Sequence, residues 1–419
     1  MKLERVIDEI EKTGSYWRDD SCILYKDGVA ELFLKLKDFS LIDRLLPNLP
    51  SDTREKIKYL DIKKIVDSLN FFVRVEGHKI DVSNSGSSMR EAVSPLVDFA
   101  NSIQYPDVHI TRRAGSYILI LNGKAVYATE SLIEYCPLAE MIFTRQGTID
   151  KSILQQKLLE ELNQQAIGEF QMFSEKRALR ECEAKVPFGS SEMTMDAMKK
   201  GYLECTVQVC DGVGTVITFN PESSQGVGAV MTGTFYTTPI DGLIERCYKE
   251  GVFPVFPETA NIDQLTGVRA ALRLGKKKIA VTTAADYNRD LAEIAELEKD
   301  DIEIYKFALC STGIDKQTAE IMANYSDITW SCASKYAREI IAPKSLVQIG
   351  LKIPVYVMTE RGWDIAKNRL LAIDPDIKPE LDQLPKEERY FIAHSKGKLI
   401  ARPASEIKKD LVHSPRPLV

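Results

Sequence analysis

The chain has 419 residues, of which 44% are hydrophobic and 28% are charged. These proportions are typical of globular proteins and exclude a collagen-like repeat, a coiled-coil rod or a mostly disordered chain. Its 55 basic and 61 acidic residues give a net charge of −6, which argues against a nucleic-acid binder because such surfaces carry excess positive charge. No apolar run reaches the roughly 18 residues that cross a bilayer, and the chain begins with an acidic amphipathic helical pattern. We therefore expect a cytoplasmic protein that does not interact with membranes.

Residues 1–115 are predicted to form a small α+β domain. Apolar runs flank an Asp-Gly turn at 27–28 and a Glu-Gly pair at 76–77, as expected for two hairpins. Helical patterns at 40–47 and 53–69 lie between them. This part of the chain has no catalytic signature, so we expect it to act as a scaffold, a lid or a module that docks a partner.

The rest of the chain divides into three predicted segments. Residues 116–185 begin with a hairpin around the Asn-Gly turn at 122–123 and continue as a mainly helical connector. Between residues 186 and 375, short β-branched runs alternate with helical patterns, which indicates βαβ units. The predicted fold class is therefore α/β, with a parallel sheet and flanking helices in a doubly wound, Rossmann-like arrangement. Residues 376–419 are predicted to add a hairpin and a tail.

Only four histidines are present, and their positions limit the chemistry. They are His78, His109, His394 and His413, so none lies between residues 110 and 393. A site built within that span has no imidazole as base or metal ligand, which excludes an internal Ser-His-Asp triad or an HExxH metalloprotease motif there. We expect its chemistry to come from Cys, Asp, Glu, Lys, Ser, Thr and the backbone.

Three of the eight cysteines follow predicted strands at their carboxyl ends, where open parallel sheets bind ligands. They are Cys210, Cys310 and Cys332. Small and polar residues follow each cysteine, and such turns direct backbone N–H groups toward a ligand. The candidate contacts are Asp211, Gly212, Gly214, Ser311, Thr312, Gly313, Ser334 and Lys335. Cys332 also precedes a predicted helix that carries Lys335, a setting that lowers the pKa of a thiol.

The three cysteines allow a functional and a structural interpretation. In the first, they form a thiolate site for an iron–sulfur cluster or a soft metal, or one of them is a reactive thiol, Cys210 or Cys332, with Asp211 as acid or base. In the second, all three are buried core residues, since free cysteine is among the most buried residue types. The eight cysteines include no CxxC pair, which fits neither a disulfide framework nor a zinc ribbon.

Glycines are densest between residues 210 and 233. Because glycine adopts positive φ and lets the backbone approach a ligand, Gly226 and Gly228 join the binding candidates. The spacing does not match a dinucleotide-binding fingerprint, and the chain has no Walker A motif. The stretch is either a cradle for an anion or cofactor or an ordinary tight connection. Ser190 and Glu192, near the start of a predicted helix, are further binding candidates, with helix capping as the alternative role of Glu192.

Seven short stretches occur in an order that carries a family resemblance. They are Glu134–Leu138, Val186–Glu192, Val209–Ile217, Gln225–Gly228, Pro257–Gln264, Ser331–Lys335 and Thr359–Gly362. Over about residues 116–372 the chain resembles the methanogenesis marker protein 8 family, archaeal proteins without an assigned reaction. The resemblance implies an anaerobic, cytoplasmic protein tied to methanogenesis, through methyl-coenzyme M reductase, its nickel cofactor or coenzyme metabolism. It also favours Cys136, Cys210 and Cys332 as metal ligands shared by the family. Cys310 is less favoured because relatives are expected to carry His at position 310.

We expect the α/β domain to bind or process a small anionic cofactor or a thiol-containing precursor at its strand ends. This favours an enzyme or a cofactor-binding protein, without assigning the reaction. The candidate metal ligands are Cys136, Cys210, Cys310 and Cys332. The alternative is a non-catalytic accessory or maturation factor for methyl-coenzyme M reductase or its nickel cofactor, whose assembly proteins would dock on residues 1–115. The sequence leaves the oligomeric state open, a homo-oligomer included.

Overall fold

A computed structural model describes most of the chain. The described residues are 2–18, 21–35, 72–81, 88–102, 107–128, 131–137, 151–229, 233–299, 301–384, 388–395, 398–407 and 414–419. The predicted helices at 40–47 and 53–69 lie outside these ranges. The chain separates into two compact units, Met1–Val108 with Ile118–Ala128, and His109–Tyr117 with Thr129–Val419.

The first unit contains a four-stranded antiparallel sheet in the order β1-β2-β3-β4. Its elements are α1 Leu3–Thr13, β1 Ser15–Arg18, β2 Ser21–Lys26, β3 Val29–Lys35, β4 Phe72–Asp81 and α2 Met89–Ser102. The predicted turn at 27–28 joins β2 to β3 and is confirmed. The hairpin predicted at 76–77 is wrong, because β4 runs through this position and pairs with β3 on both sides of a register shift between Glu31 and Phe33. A bulge absorbs the extra residues there.

Three strands follow α2 along the chain, namely β5 Val108–Arg113, β6 Ser116–Leu121 and β7 Lys124–Ala128. Asn122 and Gly123 have φ of 48° and 69° between β6 and β7. Two consecutive positive φ angles are what the tight turn of a hairpin requires, so this predicted hairpin is confirmed.

The second unit is built on a ten-stranded sheet in the order β11-β9-β8-β12-β13-β14-β16-β15-β17-β18. Its helices are α3 Lys151–Glu161, α4 Ser190–Lys199, α5 Pro221–Gly228, α6 Asp241–Lys249, α7 Gln264–Arg273, α8 Leu291–Ala295, α9 Lys316–Tyr325, α10 Glu360–Ile373 and α11 Lys378–Asp382. Its strands are β8 Cys205–Cys210, β9 Gly214–Thr218, β10 Thr234–Thr237, β11 Val252–Pro254, β12 Lys278–Ala284, β13 Glu303–Leu309, β14 Ile328–Trp330, β15 Val347–Ile349, β16 Val355–Val357, β17 Tyr390–Ser395 and β18 Lys398–Pro403. Strand β10 is not in the large sheet but pairs antiparallel with β5.

The large sheet is mixed, with a parallel centre. Strands β8, β12, β13 and β14 run parallel to one another, and β15 runs parallel to β17. The remaining neighbours are antiparallel. The predicted α/β class with flanking helices is therefore confirmed. The parallel pairing that was predicted for the whole sheet is found only among β8, β12, β13 and β14 and between β15 and β17. The antiparallel part arises because tight hairpins such as β8–β9 leave no room for a crossover helix.

Helices cover both faces of the parallel centre, which explains its continuous buried runs. In β12, Ala280 packs in one apolar cluster with residues of α4 and α10. Its neighbours Ile279 and Val281 pack in another cluster with residues of α7. Because successive strand residues point to opposite faces, these two clusters lie on the two sides of the sheet. Within the described ranges, no helix has the length and apolar character needed to cross a membrane.

Candidate functional site

Two loops at the carboxyl edge of the parallel strands are bound to each other. Ser311, just after β13, donates its hydroxyl to the carbonyl of Trp330 in β14 at 2.7 Å. The backbone amide of Ser311 also hydrogen-bonds to Cys332. Cys310 and Cys332, which follow two neighbouring strands, therefore lie side by side, as the predicted strand-end position implies.

Both cysteines have left-handed backbone conformations. Cys310 has φ of 51° and Cys332 has φ of 40°. For residues other than glycine this conformation costs about 1–2 kcal/mol and persists only where the surroundings impose it, most often at functional sites. The two loops are thus held in a conformation that the side chains alone do not favour.

Burial dominates the acidity of the two thiols. Desolvation raises the pKa of Cys310 to about 12, assisted by repulsion from Cys332 and opposed by the nearby Arg112 guanidinium. Desolvation also raises the pKa of Cys332, against hydrogen bonding by Ser311 and attraction by Arg338 and Arg112. Both groups are therefore protonated at neutral pH, although neither residue is completely inaccessible. The pKa lowering predicted for Cys332 from its position before a helix is outweighed by burial.

Arg112 brings a buried positive charge to the same place. Its side chain is only 3% exposed, and its Nη2 donates to the carbonyl of Thr312 at 2.6 Å. The guanidinium carbon lies 5.2 Å from the ring centre of Tyr117. Its Nε and Nη1 have no hydrogen-bond partner among the residues that the structure describes. We call the group Arg112, Cys310, Ser311, Thr312 and Cys332 the strand-end site. A guanidinium with two open donors in such a setting can receive an anion.

His109 lies on β5 in a buried position, one residue outside the histidine-free span, and no sequence motif marked it as a site residue. The Thr237 hydroxyl accepts from the Gly212 amide at 2.7 Å and lies 2.7 Å from His109 Nδ1. The Thr237 hydroxyl therefore links the imidazole to the turn after β8. Burial lowers the pKa of His109 to about 4, in spite of attraction by Asp211. The imidazole is neutral at physiological pH.

Asp211, predicted as an acid or base, is fully buried in an ion pair with Arg177. Its other carboxylate oxygen accepts the Phe173 amide. Arg177 in turn donates to the carbonyls of Gly226 at 3.0 Å and Val227 at 2.8 Å. With both oxygens occupied by the protein itself, Asp211 acts here as an anchor for the segment that carries Arg177.

Cys210 does not join the two neighbouring cysteines. Cys210 is fully buried among apolar side chains, and burial raises its pKa well above the usual value. Strand β12 lies between β8 and β13, so Cys210 is separated from Cys310 by two strand spacings, roughly 10 Å. In the part of the chain that the structure describes, no three His, Cys, Asp or Glu side chains are arranged to hold a metal ion. Strand order therefore separates Cys210 from the neighbouring Cys310 and Cys332.

The glycine-rich stretch is a tight connection containing β9 and α5 rather than one loop. A Cβ added to Gly214 would lie 2.1 Å from the carbonyl oxygen of Ala260, and one added to Gly226 would lie 2.4 Å from that of Leu179. At Gly212 the added atom would meet the Ile240 side chain at 2.6 Å, and at Gly228 the Ser191 side chain at 2.7 Å. The space that these glycines leave open is filled by the protein itself.

The remaining candidates have local structural roles. Glu192 is 1% exposed and accepts from the amides of Lys185 at 2.9 Å and Val186 at 3.2 Å, which fixes the turn before α4, the helix that begins at Ser190.

After β14, the Ser334 hydroxyl accepts the Ala337 amide at 3.1 Å, as in a helix cap. Lys335 is exposed, and its Nζ lies 5.0 Å from the ring centre of Tyr336. Gly313, with φ of 70°, ends the loop after β13.

A family model described as "Uncharacterized protein conserved in archaea (DUF2099)" matches residues 109–371. The chain belongs to this family. An uncharacterized protein of Methanocaldococcus jannaschii is similar at 35% identity over 269 residues, which cover 64% of this chain and 92% of that protein. No solved structure matches the chain. The matched DUF2099 range begins at His109 and includes every residue of the strand-end site.

Replacing Gly214 by alanine tests whether the connection is packed against the protein. Gly214 and Gly201 have φ of 76° and 75°, but a Cβ at Gly201 would meet nothing within 4 Å. Both alanine variants therefore bear the same left-handed penalty, and only Gly214→Ala adds a steric clash. We expect Gly214→Ala to lower the free energy of unfolding by about 1–3 kcal/mol more than Gly201→Ala in urea titrations. Equal losses would contradict the close packing.

The buried imidazole predicts a pH dependence of stability. The pKa of His109 falls from 6.5 to about 4 on folding, so its contribution is fully present above pH 6.5 and is lost as the pH falls toward 4. We expect wild type to lose about 3 kcal/mol more than His109→Gln between pH 7 and pH 4, measured by urea unfolding. His394→Gln, at an exposed position, is the matched control and should follow wild type. An unchanged pH profile in His109→Gln would refute the buried neutral state.

Proposed function

We propose that this DUF2099 protein binds a small anionic ligand at the strand-end site. The observation that supports this is Arg112, a guanidinium that is 3% exposed and whose donors Nε and Nη1 have no partner in the described part of the chain. Among the described residues, no ion pair compensates its charge. A buried charge without a partner costs several kcal/mol, and a bound carboxylate, sulfonate or phosphate would remove that cost by accepting both donors.

The surroundings of Arg112 indicate the size and character of the ligand. Arg112 faces the ring of Tyr117, whose centre is 5.5 Å from that of Phe235. It also donates to the Thr312 carbonyl, and its charge acts on the thiols of Cys310 and Cys332. We propose a ligand with an apolar or sulfur-containing body and one anionic end. Its binding position at the ends of parallel strands would correspond to that in doubly wound, Rossmann-like sheets.

The resemblance to the methanogenesis marker protein 8 family narrows the proposed ligand to an anionic methanogenic cofactor or a thiol-containing precursor. An anaerobic, cytoplasmic setting would keep the cysteines reduced. Whether the protein converts the ligand or only carries it decides between an enzyme and an accessory factor of methyl-coenzyme M reductase. The first unit lies almost entirely outside the matched DUF2099 range, which makes it the natural place for a partner of an accessory factor to dock.

The proposal is tested with 2-mercaptoethanesulfonate, a small anionic thiol, and with 2-mercaptoethanol as its neutral counterpart. We expect the sulfonate to raise the unfolding temperature of wild type, corresponding to about 2.7 kcal/mol at a hundredfold excess over Kd, whereas the neutral thiol does not. Arg112→Gln should abolish this shift. Arg273→Gln, at an exposed position on α7, should retain it.

Phosphate and acetate extend the same measurement to other anions. If none of the three anions produces a shift that depends on Arg112, the anion site is refuted. Binding without turnover, together with a protein that co-purifies through the first unit, would favour the accessory factor over the enzyme.

A further inference from the structure

We propose that Cys310 and Cys332 form a redox-active dithiol that exchanges with a small disulfide carrying an anionic group. The anionic part of this substrate class rests on the proposed function, whereas the dithiol rests on the geometry of the two cysteines. The reduced pair would be converted to an intramolecular disulfide, and the substrate disulfide to two thiols.

The register of the sheet brings the two cysteines to the same part of its carboxyl edge. Ala308 pairs with Thr329 across β13 and β14, and Cys310 and Cys332 follow two and three positions later, just past the ends of these strands. Both have left-handed backbone conformations, so the loops rather than the strand geometry set their separation. Native disulfides join Cα atoms about 4.4–6.8 Å apart.

Local contacts bring the two cysteines together and distinguish the two sulfurs. The Ser311 backbone amide, bonded directly to Cys310, hydrogen-bonds to Cys332. Cys332 also feels the positive charges of Arg338 and Arg112. Hydrogen bonding and positive charge stabilise a thiolate, so Cys332 is assigned as the attacking sulfur and Cys310 as the resolving one.

The exchange balances in two steps. The Cys332 thiolate attacks one sulfur of the substrate, forming a mixed disulfide and expelling the first thiolate. The Cys310 thiolate then attacks the Cys332 sulfur, forming the Cys310–Cys332 disulfide and expelling the second thiolate. The two protons lost by the cysteines are taken up by the two departing thiolates, and the two electrons of the protein dithiol reduce the substrate disulfide. The guanidinium of Arg112, beside both sulfurs, would hold the anionic group of the substrate.

The test uses the full chain with Cys136 and Cys182 replaced by serine, since these are the other cysteines with accessible side chains. The anionic probe is 5,5′-dithiobis(2-nitrobenzoate), and the neutral probe is 4,4′-dithiodipyridine. With either probe we expect two equivalents of released thiol per chain, and a peptide map with Cys310 joined to Cys332. In the same background, Cys310→Ser should release one equivalent and keep the adduct on Cys332.

The two probes separate failure of the dithiol from failure of the anion site. Arg112→Gln should slow reaction with the anionic probe by about tenfold relative to the neutral probe, as expected for loss of one charge-assisted hydrogen bond. Exchange that is independent of Arg112 would support the dithiol and contradict the anion site. A stable adduct on Cys332 in the background protein, without release of the second equivalent, would overturn the dithiol. Peptide mapping of the background protein gives this answer even if a serine variant at 310 fails to fold.

Discussion

The buried ion pair between Asp211 and Arg177 organises the carboxyl edge of the large sheet. Asp211 begins the turn after β8 and is fully buried, so its charge requires an equally buried cation. Arg177 supplies that cation and extends to the carbonyls of Gly226 and Val227, which ties the segment before α4 and the end of α5 to the same turn. Removing either partner would leave an unpaired charge buried in the protein, which costs several kcal/mol. The ion pair therefore holds the segments at this edge of the sheet in one arrangement.

Arg112 and Arg177 are both buried guanidinium groups, but they differ in how many of their hydrogen-bond donors have partners. Both guanidinium groups are nearly inaccessible, yet Arg177 has a carboxylate and three carbonyls, whereas Arg112 has one carbonyl, that of Thr312, and a facing ring. The same fold therefore provides a full set of hydrogen-bond acceptors for one buried arginine but not for the other. The contrast between the two open donors of Arg112 and the paired donors of Arg177 is the physical basis of the proposed anion site.

Local patterns predicted the central strands well, because runs such as 304–309 are buried on both faces and leave a continuous apolar signal. They failed at β4, where a Glu-Gly pair resembles a turn but forms a bulge. The contact of Arg112 with Thr312 joins residues 200 positions apart, and no spacing in the sequence links them. The proximity of Cys310 to Cys332, and the distance of Cys210 from both, depends on strand order, which a sequence without a fold does not contain.

Burial opposes the chemistry proposed for the two thiols, and this opposition restricts when they react. With the pKa of Cys310 near 12, its thiolate is outnumbered by the thiol by roughly five orders of magnitude at pH 7. Thiolates compete with the ligand anion for the guanidinium of Arg112, so an unreactive anion would raise both thiol pKa values further and suppress exchange. A disulfide substrate differs, because its anionic group and the thiolate can each take one of the open donors, Nε and Nη1. The site would thus favour exchange with a ligand that presents an anion and a disulfide together.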